Sequence, residues 1–181
     1  LKISDNANMK IEPYFQQLYN VPVIADSSYS VLNRRDFYVE NVLVNQGKGR
    51  NIGVDITLER YLYKGLYYMV TASIFDSKYY GGDRKWRNTL YNRNFIVNVL
   101  GGKEWMVGRD KQNIFSMNFK ITLQGGDRYA PVDEAATLLD PDREVQYDET
   151  KAFSKQFSPM FITNFSVGYK INRKKVSHEF S

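Results

Sequence analysis

The feature that most constrains this chain is an alternation of apolar and polar residues with a period of two, seen most plainly over residues 113–124. There Phe115, Met117, Phe119, Ile121 and Leu123 point one way, and Ser116, Asn118, Lys120, Thr122 and Gln124 point the other. Successive side chains of a β-strand leave on opposite faces, so this pattern predicts a strand between an apolar and a polar environment. Residues 161–172 repeat it, with Phe161, Thr163, Phe165, Val167, Tyr169 and Ile171 alternating with Ile162, Asn164, Ser166, Gly168, Lys170 and Asn172. Residues 52–59 do so again, with Ile52, Val54, Ile56 and Leu58 against Gly53, Asp55, Thr57 and Glu59. Weaker strands are read at 8–19, 66–78 and 93–104, and the start of another at 176–181. Helical periodicity is confined to residues 133–139, where Asp133 suits the N-cap of a short helix inside a loop.

The connections narrow the choice further. Long segments at about 20–49, 79–92 and 125–160 alternate with short ones at about 62–65, 105–112 and 173–175. Compact soluble domains use short connections at both ends of a sheet. A transmembrane β-barrel has brief turns at one rim and long loops at the other, with strands of ten or more residues. The expected fold is therefore all-β, an antiparallel up-and-down meander forming a partial segment of a large transmembrane β-barrel. A soluble β-rich module that binds glycan or protein is the alternative, and it calls for a two-sheet core. Another class of barrel, such as a porin, an adhesin or a barrel enzyme, would satisfy the same pattern.

Composition agrees with a folded chain: 43% of the 181 residues are hydrophobic, 25% are charged and 15% are aromatic, with 14 Tyr and 11 Phe. No apolar run approaches the roughly 18 residues of a membrane helix, a test that strands escape because only every second residue faces lipid. The first residues lack the apolar core of a signal peptide. The chain opens on Leu1 and stops at Ser181 within an alternating run, so both ends read as cut.

Catalytic and metal chemistry lack parts. With no cysteine and only His178, a zinc site and thiol chemistry are excluded. His178 shares a face with Val176 and Phe180 and reads as a rim or contact residue. Asp140-Pro141-Asp142-Arg143-Glu144 has the alternating oxygens of a calcium loop but not its turning glycine, so it reads as a solvated acidic loop. Gly81-Gly82 and Gly101-Gly102 precede no helix and read as turn or packing glycines. Neither a cofactor nor an enzymatic activity is expected. The net charge of +5 invites a nucleic-acid reading, but its densest groups, Arg84, Lys85, Arg87 and Arg173, Lys174, Lys175, sit on no recognition motif. Nucleic acid is therefore not an expected partner.

The most promising constellation is cationic and aromatic. Arg34 and Arg35 fall in the first long loop, Arg84 and Trp86 in the second, and Arg128 and Tyr129 open the third. Gathered at one rim, they would offer guanidinium groups and ring faces to a small anionic or planar ligand.

Particular strings resemble TonB-dependent outer-membrane receptors of Bacteroidetes type. Gly125-Gly126-Asp127-Arg128-Tyr129-Ala130-Pro131-Val132-Asp133 is similar to a loop entrance of that family, although Asp127 stands where a basic or small residue is usual. Gly49-Arg50-Asn51-Ile52-Gly53-Val54-Asp55 resembles one of its entering strands. Phe75-Asp76-Ser77-Lys78-Tyr79, Trp86-Arg87-Asn88, Tyr147-Asp148-Glu149, Ala152-Phe153-Ser154 and Tyr169-Lys170-Ile171-Asn172-Arg173 follow in the family's order. The resemblance covers nearly the whole of residues 1–181 and implies the C-terminal part of a barrel of about 22 strands, with the plug and last strand absent. It implies a place in the outer membrane of a Gram-negative bacterium, among outer-membrane lipid. It further implies uptake of a scarce nutrient such as an iron chelate, cobalamin or oligosaccharide. The TonB complex would then be a partner, through the missing plug.

Overall fold

The computed structural model describes residues 1–33, 39–142, 144–173 and 176–180. Arg34 and Arg35 lie outside the described residues. One large antiparallel sheet dominates, built from β1 (Lys2–Ser4), β2 (Ala7–Ile24), β3 (Leu43–Tyr63), β4 (Leu66–Tyr80), β5 (Trp86–Asn88), β6 (Phe95–Val107) and β7 (Asn113–Gln124). It is completed by β10 (Met160–Asn172) and β11 (Ser177–Phe180). A two-stranded ribbon of β8 (Arg128–Tyr129) and β9 (Lys155–Gln156) lies between β7 and β10, as does a short helix, α1 (Glu134–Leu139). No described helix is long and apolar enough to cross a membrane, which says nothing of strands.

Strand order follows chain order, β1-β2-β3-β4-β6-β7-β10-β11, with β5 paired to the far end of β4. The expected antiparallel meander is therefore present. Among the described residues the sheet stays open, with β1 and β11 as its edges. Tight connections gather at one rim. The β3–β4 hairpin turns on Lys64 and Gly65, both with positive φ (51° and 74°), the geometry of a two-residue type I′ turn. Long connections gather at the other rim: residues 25–42, 81–94 and 125–159 form the first, second and third loops.

Register turns the sequence alternation into two contrasting faces. Ile11, Ile56, Ala72, Val97, Leu123 and Phe161 form one apolar row across six strands. Met9, Leu58, Val70, Val99, Ile121 and Thr163 form the next. No second layer packs on this face among the described residues: Phe161, Phe165 and Phe15 are 64%, 65% and 64% exposed. On β7 the apolar positions run from Phe115 to Leu123, a span of about 27 Å along the strand. Near the tight-turn end of this face the rings of Trp105 and Phe115 pack at 5.6 Å, and Tyr169 stands opposite Phe115.

The opposite face is polar and internally bonded. Thr122 donates to Asn98 (2.8 Å), which donates to Thr71 (3.3 Å). Tyr67 donates to Asn118 (2.8 Å), which donates to Ser166 (3.2 Å). That second chain crosses β6 at Gly102, where a Cβ would meet the Tyr67 hydroxyl at 2.6 Å, so the glycine is what lets the tyrosine reach across. Thr89, Ser77, Asn51 and Gln16 continue the pattern, with Thr89 donating to Ser77 (2.9 Å), Ser77 to Asn51 (2.6 Å) and Asn51 to Gln16 (2.8 Å).

The buried core sits between neither pair of sheet faces. Val21, Val23, Tyr79, Leu90 and Ala152 are buried where the three long loops meet the strand ends. The two-sheet core that a soluble sandwich calls for is not found among the described residues, whose second sheet is only the β8–β9 ribbon.

Candidate functional site

The long loops hold one another by polar contacts that periodicity does not announce. Asp83 of the second loop takes a forked ion pair from Arg87, at 2.8 and 2.5 Å, and Arg87 is buried. The guanidinium hydrogen bond holds the Asp83 carboxyl below its ordinary range, against the opposing effect of burial. The first loop joins the second where the Leu90 amide donates to the Asn33 side-chain oxygen (2.7 Å) and the Asp83 amide to the Ser27 carbonyl (3.0 Å). It meets the third where Ser27 donates to Glu149 (3.3 Å).

Arg128 fastens the third loop to the second. Its Nε donates to the Asn92 carbonyl (2.9 Å) and its Nη2 to the Asn94 side-chain oxygen (2.7 Å). Asn92, fully buried, donates in turn to Asp76 (2.9 Å) and Asn88 (3.0 Å). Burial pulls the Arg128 guanidinium below its ordinary pKa, and the charge of Asp76 opposes that pull. Asp127 pairs with Arg93 at 2.7 Å.

Between the first and third loops and the end of the second lies an open cleft of about 760 Å³, within the range of small-molecule sites. Tyr29, Tyr129, Tyr147, Phe153 and Phe157 supply ring faces to it, and Asn33, Glu40, Arg128 and Glu149 supply polar groups. Tyr129 stacks on Phe157, with centroids 4.3 Å apart and planes at 26°. The hydroxyl of Tyr29 and the side-chain nitrogen of Asn33 are buried with no hydrogen-bond partner among the described residues. Rings beside polar side chains suit a ligand with both apolar faces and hydroxyl or amide edges.

Of the sequence-predicted site residues, Arg128 and Tyr129 line this cavity. Arg84 lies exposed in a tight turn with φ of 62°. Trp86 goes elsewhere, to the apolar face of the sheet, where it packs on Tyr80 at 5.5 Å and under Arg50 at 5.5 Å. Sequence reasoning missed Tyr29, Tyr147, Phe153 and Phe157 as cavity residues, because irregular loops carry no period that marks which rings turn inward. Ala152-Phe153 stood within a string that resembles the receptor family, and that was the available signal. In the acidic loop, Asp140 is occupied by its own turn, accepting from the amides of Asp142 (2.9 Å) and Glu144 (3.2 Å) and from the Gln146 side chain (2.7 Å). No cluster of three or more metal-ligating side chains occurs among the described residues.

Fold and site define an antiparallel meander with one uncovered apolar face and a loop-built cavity at one rim. No family model, curated protein or solved structure matches this chain.

Proposed function

We propose that the chain forms part of the wall and outer mouth of a TonB-dependent receptor in the outer membrane of a Gram-negative bacterium. Such a receptor takes up a scarce nutrient such as an iron chelate, cobalamin or oligosaccharide. The observation that carries this reading is the pairing of a six-strand apolar face left open with a hydrogen-bonded polar face behind it. Lipid would cover the first, and the lumen would wet the second. At the roughly 35–45° tilt of such strands the β7 apolar stretch stands about 21 Å tall, close to the ~25 Å band of outer-membrane barrels. The loops fold over one rim only, which would be the extracellular one, and their cavity would receive the nutrient. The strings shared with Bacteroidetes-type receptors favour this class over other barrels, and the TonB complex would act through a plug supplied by the rest of the polypeptide. The role is uptake rather than catalysis.

An antibody raised against this chain tests the reading on fractionated cells. The expected result is an outer-membrane band well above 21.1 kDa. A soluble band near 21.1 kDa would overturn it and favour a β-rich binding module.

A further inference from the structure

The apolar face does not end at the long-loop rim in more apolar residues. Two rows above Val54 and Ile74 it becomes cationic and aromatic. On β3 stand Lys48 and Arg50, on β4 Lys78 and Tyr80, and on β5 Trp86 and Asn88, paired as Lys48–Tyr80–Trp86 and Arg50–Lys78–Asn88. Arg50 and Lys78 are direct cross-strand partners, like charges that repel, and the one carboxylate beside them on this face among the described residues is Asp76, one row below. Lys48 lies 5.7 Å from the centroid of Tyr80, and Arg50 lies 5.5 Å from that of Trp86. Neither Lys48 nor Arg50 forms an ion pair among the described residues, and Lys78 has only a long one, 3.4 Å to Asp76. Immediately below, on the same face, Ile52 (49% exposed) pairs with Asp76, and Ile74 (59% exposed) stands one row further down, so the apolar path leads off the patch through Ile52.

From this geometry we infer a site for the phosphate group of a phosphorylated amphiphile of the outer leaflet, held by Lys48, Arg50 and Lys78. The inference rests on the membrane orientation proposed above. Three cations within two residues of one another complement a phosphate monoester or diester, and the guanidinium can fork onto two of its oxygens. The rings of Tyr80 and Trp86 suit the boundary between headgroups and chains. Acyl chains leaving the phosphate would then run down over Ile52, Ile74 and Phe15. Charge and apolar surface thus favour one amphiphilic ligand over free phosphate, which would use only the upper half of the patch.

The test uses the complete receptor purified in a neutral detergent, with phosphatidic acid as probe and phosphatidylcholine as the zwitterionic comparison. Retained lipid is counted by native mass spectrometry. The expected result is selective retention of phosphatidic acid, resistant to competing inorganic phosphate. It should weaken at least about tenfold in the triple variant Lys48→Gln, Arg50→Gln, Lys78→Gln. Lys64→Asn removes a cation at the opposite rim and should leave retention unchanged. Equal retention by wild type and triple variant overturns the site, as does equal loss in Lys64→Asn. Displacement by inorganic phosphate overturns the amphiphile in favour of a free anion. Failure of the membrane reading itself is read separately, from whether the unmodified receptor is recovered in the outer membrane at all.

Discussion

Arg87 carries a full charge into a place where only 7% of its side chain meets water, and Asp83, itself 18% exposed, is the group that compensates it. Asp83→Asn keeps the shape and removes the charge, leaving a guanidinium with little solvent, at a cost of about 1–3 kcal/mol. Exchange of the Leu90 and Asn92 amides, whose loop this pair closes, should quicken by roughly ten- to a hundredfold. Unchanged exchange would show that the pair does not hold the loop. The pH dependence has a definite sign. Hydrogen bonding from Arg87 depresses the Asp83 carboxyl, and hydrogen bonding from Lys151, then from Thr150, pushes Asp148 down to about 2. A depressed carboxylate contributes its full stabilisation above the unfolded pKa of about 4 and loses it as pH falls through the folded value. Resistance of the loops to pepsin should therefore be lost between about pH 4 and about 2, and a loss already complete at pH 5 would contradict these assignments. Such pairs were invisible in the sequence. Asp83 and Arg87 stand four apart in what reads as an irregular loop, and nothing in their spacing told which of the neighbouring cations, Arg84, Lys85 or Arg87, would turn inward.

At the scale of elements, the strands were legible wherever burial differs between the two faces. The expected strands at 113–124 and 161–172 correspond closely to β7 (Asn113–Gln124) and β10 (Met160–Asn172). Asp133 caps α1 as expected, accepting from the Ala136 amide at 3.0 Å. Strand ends were underestimated where the alternation changes character. The stretch read at 52–59 is the middle of β3, which starts at Leu43 and passes Lys48 and Arg50, charged residues at the long-loop end of the face that is apolar through the middle of the sheet. β1 and β5, each of three residues, are too short for a period-two signal. The same shortness hid the turn of Trp86 onto the apolar face, since its direction is fixed by pairing with Tyr80 and not by any local pattern. The tight β3–β4 hairpin gives the sharpest element-scale prediction. Gly65 has positive φ, and a Cβ there would collide with the Glu104 carbonyl oxygen, so Gly65→Ala must shift the backbone as well as bear the left-handed strain. A loss of about 1–3 kcal/mol in urea unfolding is expected. Lys64→Asn, which makes an Asn-Gly turn, should be tolerated. Equal destabilisation by both would mean that the hairpin is not the constraint.

For the whole molecule, one sequence property reaches furthest. Alternation in each strand, brought into register by antiparallel pairing, makes an apolar surface that no other part of the described chain covers. The meander and its loop asymmetry could be read from residues alone. Closure of a barrel could not, because it depends on strands at both open edges, β1 and β11, finding partners. The cavity was legible only through Arg128 and Tyr129, since its other rings come from loops brought together by Arg128, Asn33 and Ser27 rather than by sequence proximity. The central claim is that the apolar face meets lipid. The chain has no cysteine, so Phe119→Cys and Lys120→Cys each place a single nitroxide within it, on adjacent residues of β7 that face opposite ways. With the protein reconstituted in bilayers, the label at position 119 should be relaxed by oxygen dissolved in the lipid and shielded from a water-soluble nickel chelate, with the reverse at position 120. Both labels open to the nickel chelate, or both shielded alike, would contradict the account.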